Sequence, residues 1–120
     1  MRVIIKTKNL DLAEGLKNFT EEKFFGLQKF INILKKEEEK KTLAEVLVEL
    51  EKETEHHKKG KIFNVKAQIH LPDRDLMAQA DSDDLMKAVI AAKEGLKIEI
   101  EKYKFKNIDK NRRQQRKAGL

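Results

Sequence analysis

The sequence predicts an α+β domain of order β-α-β-β-β-α, in which two helices pack on one face of a four-stranded sheet. Three observations carry that expectation. Four segments alternate apolar and polar residues with a period of two, two longer ones repeat apolar residues at helical spacing, and the lone proline, Pro72, falls in a turn between two strand segments. The 120 residues suit a single folded domain over 1–106, followed by a basic, flexible tail over 107–120.

Each element follows from its own pattern. Arg2 to Lys8 alternates so that Val3 and Ile5 turn inward while Lys6 and Lys8 meet water. Asp11 and Glu14 have capping-box spacing and open a helix expected from about residue 12 to 34. Its apolar stripe is Leu12, Leu16, Phe19, Leu27, Ile31 and Leu34, with Phe24 and Phe30 beside it, and Gly15 and Gly26 point to close packing. The charged run Lys35 to Lys41 reads as an exposed loop.

Ala44, Val46, Val48 and Leu50 then alternate with Glu45, Leu47, Glu49 and Glu51 in a second strand. After a turn over Glu55 to Gly60, a third strand buries Phe63, Val65, Ala67 and Ile69, which sets Lys66 across from the glutamate row. Leu71 to Asp75 turns the chain into a short strand with Leu76, Ala78 and Ala80 inward. A last helix is expected from the Asp81–Asp84 cluster to about Phe105, with Leu85, Ala88, Val89, Ala92, Leu96, Ile100 and Tyr103 as its core stripe. Ile90, Ile98 and Phe105 project away from that stripe.

Composition narrows the function. There is no cysteine, which removes disulfide, thiolate-metal and cysteine-nucleophile chemistry. No apolar run reaches the roughly 18 residues of a spanning helix, so a soluble, cytoplasmic protein is expected. The one serine, Ser82, lies in a helix cap, where it serves backbone N–H groups, and a serine-dependent triad has no other candidate. The Asp81, Asp83 and Asp84 cluster lacks the glycine and late glutamate of a calcium loop and reads as helix capping. Glu55, His56 and His57 read as a polar turn, the adjacent histidines being poorly placed to chelate one ion. The Glu49, Glu51 and Glu53 row lies on an open sheet face, without the concavity acid–base chemistry wants. No enzyme, metal or cofactor is expected.

The charge is more informative by place than by sum. The chain holds 27 basic and 21 acidic residues, a net +6. Residues 1–101 carry 19 basic and 20 acidic side chains, whereas residues 102–120 carry eight and one. A basic terminal segment on a balanced domain points to a polyanion, nucleic acid before membrane. Lys93, Lys97 and Lys104 share one flank of the last helix, Lys102 and Lys106 the other, and Lys110, Arg112, Arg113, Arg116 and Lys117 extend the charge. With few aromatics free to stack on bases, backbone recognition of structured RNA fits best. The bland alternative is a solubilising tail beside a solvated helix face.

The segments Phe63–Pro72, Asp83–Val89 and Glu101–Lys104, together with Leu16-Lys17 and Glu21–Phe24, resemble the ribosome hibernation-promoting factor family, also called sigma-54 modulation proteins. That resemblance implies a β-α-β-β-β-α domain similar to a double-stranded RNA-binding fold. It implies binding to the small ribosomal subunit and its rRNA at the mRNA and tRNA channel, with translation inhibited by occlusion. Lys17, Lys23 and Lys29 on the first helix and Lys102 and Lys104 on the last match basic positions of the family, whereas Gly95, Ile98 and Glu101 stand where relatives are often basic. The chain lacks the second domain of long members, so a monomer is expected when free. A general structured-RNA-binding module or ribosome assembly factor is the alternative function, and a membrane- or protein-interaction domain using the tail and the apolar patch is a third.

Overall fold

A computed structural model describes residues 2–30, 45–53, 62–71 and 74–117, with side chains through Lys104. Along these the order is β1 (Arg2–Lys8), α1 (Glu14–Phe25), β2 (Glu45–Glu53), β3 (Ile62–His70), β4 (Asp75–Ser82) and α2 (Leu85–Lys117). The strands lie side by side in chain order. β1 runs parallel to β2, with α1 in the connection between them, and the β2–β3 and β3–β4 pairs are antiparallel. The expected order is therefore present, as a mixed sheet with two helices.

Register sorts the sheet residues by face. Val46 pairs with Val3 and Ile69, Val48 with Ile5 and Ala67, and Leu50 with Val65, so the apolar members of each strand share the inner face. There they meet Phe24 and Leu27 from the α1 region and Ala88, Val89, Ala92, Leu96 and Ile100 of α2, all essentially fully buried. Leu85 and Tyr103 pack against this core from its edge, so the stripe expected on the last helix is the one observed. At about 25 cal/mol per Å² of apolar surface, this layer between sheet and helices supplies the main folding drive.

The first helix departs from expectation. It starts at Glu14, and its N-cap is Ala13, in extended backbone and without a side-chain cap, so Asp11 and Glu14 form no capping box. Asn9 turns the chain with a positive φ of 61°. Leu10 and Leu12 both pack on the core, which keeps the chain outside helical geometry until after residue 12. The helix ends at Gly26, the chain turns at 26–27, and residues 28–30 are helical again. The buried face centres on Thr20, Phe24 and Leu27, with Leu16, Phe19 and Phe30 half-buried at its margins. Ile31, Leu34 and the Lys35–Lys41 loop lie outside the described residues, as do Ala44, Glu55–Gly60 and Pro72.

Glycine packing also falls elsewhere than expected. A Cβ at Gly15 would meet nothing within 4 Å, and one at Gly26 only the carbonyl of Lys23 on the preceding turn. The close approach is at Gly95, where a Cβ would lie 3.1 Å from that of Ala78. Small residues here let α2 settle directly on β4.

α2 begins with a cap on Asp84, whose carboxylate accepts the Met86 N–H at 3.0 Å and the Lys87 N–H at 3.4 Å, while Ser82 Oγ accepts the Asp84 N–H at 3.1 Å. Its 33 residues run to Lys117, past the end expected near Phe105. The apolar period fades after Tyr103, but Lys, Arg and Gln are good helix formers and no Gly or Pro interrupts them before Gly119. At about 1.5 Å per residue the helix continues roughly 25 Å beyond Ile100.

Candidate nucleic-acid interface

The two faces of the domain treat charge differently. On the open face of the sheet, Glu49 lies between Lys6 and Lys66, and Glu51 between Lys8 and Asn64. Arg2 and Glu45 approach to 3.8 Å, Lys8 and Glu51 to 3.7 Å. Asp81 contacts Asn64, and Asp75 contacts His70 and Gln68. A shallow depression of about 460 Å³ sits among Lys6, Lys8, Glu49, Glu51, Lys66 and Gln79. Its carboxylates face cations in register, so the surface neutralises itself and gives a polyanion little net attraction. Of the acidic residues before α2, Asp81 contacts Asn64 and Asp84 caps the helix, while Asp83 Oδ1 accepts from Ser82 Oγ at 3.4 Å.

The helical face gathers cations around aromatic rings. Lys23 Nζ lies 5.4 Å from the Phe19 ring centroid, one helical turn away on α1. Lys29 and Lys97 both approach Phe30, each with Nζ 5.2 Å from its centroid. The negative ring face attracts an ammonium and fixes the end of an otherwise mobile side chain. Phe19 and Phe30 are themselves anchored against the core, so the lysines stand on supports held by the fold. Among the described residues none of these three lysines forms an ion pair.

Other expected site residues are placed differently. Lys93 is partly buried and bonds Glu94 at 2.9 Å. That hydrogen bond, the charge of Lys93 and a smaller pull from Lys97 hold the Glu94 carboxyl below its ordinary pKa, against a slight opposing effect of burial. Lys102 pairs with Glu99 at 3.5 Å and lies about 140° around the helix from Lys97. Lys104 is half-buried and Lys17 exposed, neither in an ion pair among the described residues. The backbone of Lys106, Lys110, Arg112, Arg113, Arg116 and Lys117 lies in α2, and their side chains are outside those described. Ile90 and Ile98 are exposed, as their positions off the stripe require, and Phe105 lies outside the described side chains.

The structure therefore brings Lys29 and Lys97 together at Phe30, with Lys93 near Lys97 through Glu94, and leaves Lys102 on another side of α2. Sequence reasoning missed the supports, Phe19 and Phe30. The Phe19–Lys23 spacing of four was a readable signal, whereas the meeting of Lys97 with Phe30 joins two distant segments and has none.

The chain belongs to the Sigma 54 modulation protein / S30EA ribosomal protein family, whose model matches residues 3–108. This is a family of non-enzymatic, ribosome-associated factors. Among solved structures, the chain is similar to a ribosomal subunit interface protein from Coxiella burnetii, at 22% identity and a TM-score of 0.63, over 87% of this chain and 98% of that one. It is also similar to the N-terminal domain of Protein Y from Thermus thermophilus, at 17% identity and a TM-score of 0.58, over 85% and 94% of the two chains. At these identities the likeness concerns the fold. No curated protein matches the chain. No helix among the described residues is long and apolar enough to cross a membrane.

Proposed function

We propose that this chain binds the small ribosomal subunit through its rRNA, in the channel used by mRNA and tRNA, and inhibits translation there by steric occlusion. The observation that carries this reading is the set of lysines on the helical face, Lys23, Lys29 and Lys97, held on aromatic rings and in no ion pair among the described residues, on a domain whose open sheet face sets carboxylates against cations. Membership of a ribosome-associated family and likeness to a subunit interface protein supply the class of partner. Phosphate contacts would give most of the affinity and the fold would give the shape, so binding should weaken steeply with salt.

Cosedimentation with purified small subunits, together with a cell-free translation assay, tests this reading. The wild-type chain is expected to comigrate at moderate salt and to lower translation in proportion to occupancy. A variant with Lys102, Lys104, Arg112 and Arg113 all changed to Glu should stay folded and lose both effects. Failure of the wild type to comigrate would reject the reading.

A further inference from the structure

Arg74 lies away from the helical lysines, in the turn between β3 and β4. The Leu71 N–H donates to the Arg74 carbonyl at 2.9 Å, which fixes the backbone at this point. Its guanidinium carbon is 5.5 Å from the ring centroid of Tyr103, the last core-packed residue of α2 among the described side chains. Two carboxylates flank Arg74 in sequence: Asp73 lies outside the described residues, and Asp75 has both oxygens occupied, Oδ1 by His70 and Oδ2 by Gln68. Arg74 is exposed and forms no ion pair among the described residues.

We propose that Arg74, seated on Tyr103, is a second anchor for the RNA backbone and binds one phosphate through its guanidinium fork. This rests on the proposed RNA-binding reading and adds to it a site at the end of the sheet. Stacking on an aromatic face orients the guanidinium without using its N–H donors, which remain in the planar, two-pronged arrangement that suits a phosphate. Asp75, which would otherwise compete for that fork, is held by its own partners. The position also makes sense of the fold, because here α2 passes the end of the sheet and continues with the basic sequence from Lys102 to Lys117. RNA lying against the helical lysines and along that extension would pass Arg74.

The test titrates the full chain and its Arg74→Gln and Arg74→Lys variants, over a range of salt, against purified small subunits and against protein-free small-subunit rRNA. Arg74→Gln is expected to weaken binding to both by about tenfold and to lower the salt slope by about 0.7–0.9. Arg74→Lys should recover the slope but only part of the affinity, since an ammonium lacks the fork. Unchanged binding by Arg74→Gln, with the wild type still bound, overturns the anchor and leaves the ribosome-binding reading intact. A loss on subunits but not on free rRNA also overturns it, by assigning the guanidinium to a protein carboxylate. No binding by the wild type to either probe overturns both.

Discussion

Lys29 and Lys97 come from opposite parts of the chain and place their ammonium groups at the same distance, 5.2 Å, from the ring of Phe30. Two cations sharing one aromatic support, with no carboxylate between them among the described residues, repel each other until an anion arrives. They should therefore act as a unit. Changing either to Gln is expected to weaken binding to small subunits about three- to tenfold, and changing both should cost less than the product of the single losses. Fluorescence anisotropy titrations over a double-mutant cycle measure this coupling, and strictly multiplicative losses would separate the two lysines into independent contacts.

Glu94 restrains the same region. Its removal by Glu94→Gln frees Lys93 and takes a negative charge from beside Lys97. Subunit affinity should rise by about two- to fivefold, the size of an exposed ion pair. An affinity equal to or below that of the wild type would show that the Lys93–Glu94 pair is neutral or useful in binding.

The same pair makes a directional statement about pH. Because the folded-state pKa of Glu94 is lowered, its contribution to stability is present above the ordinary glutamate range and fades as pH falls through the lowered value. The pair is exposed, so the effect is small and screened by salt. The difference in thermal midpoint between wild type and Glu94→Gln should shrink between about pH 7 and about pH 3 in low-salt buffer. A constant difference would remove the linkage.

Gly95 marks the point where α2 comes close to β4. A Cβ at this site would press on the Ala78 Cβ at 3.1 Å, and a side chain fixed to a strand backbone cannot rotate aside. Gly95→Lys should lower stability by about 1–2 kcal/mol, overpacking outweighing the gain in helix propensity. Denaturant unfolding checks this. A more stable variant would mean that α2 can lift from β4 at little cost.

Thr20 is the buried polar side chain of the core and its hydroxyl has no hydrogen-bond partner among the described residues. Thr20→Val keeps the shape and removes the desolvated group, so it should stabilise the domain by about 1 kcal/mol. A destabilised variant in the same unfolding assay would reveal a partner for the hydroxyl.

Much of the fold was legible because its strands obey a strict period of two. Val46, Val48 and Leu50 could only face inward together, and the apolar spacing from Leu85 to Tyr103 required a helix with one buried side. Legibility ended where tertiary contact decides. The start of α1 depends on Leu10 and Leu12 both reaching the core, which a local capping pattern cannot register. Thr20 fell inside a buried face that an apolar-only pattern skipped. The far end of α2 was read from the loss of apolar period, although helix propensity persists to Lys117. In the candidate interface the lysines were legible as charges, but their partners were not. Lys93 and Lys102 carry neighbouring glutamates, Lys97 meets Phe30 across the fold, and Arg74 became visible as a candidate only once the β3–β4 turn was seen against Tyr103.

Among the described residues β1 has a strand neighbour on one side only, and its open-face residues include Arg2, Lys6 and Lys8. If two copies met edge to edge along this strand, each would bring three cations beside the other's three, while the glutamates that face them stay one strand further in, on β2. The free hydrogen-bonding edge of the sheet is thus guarded against self-recruitment into a longer sheet, a safeguard that matters most for a protein whose ligand could gather many copies in one place.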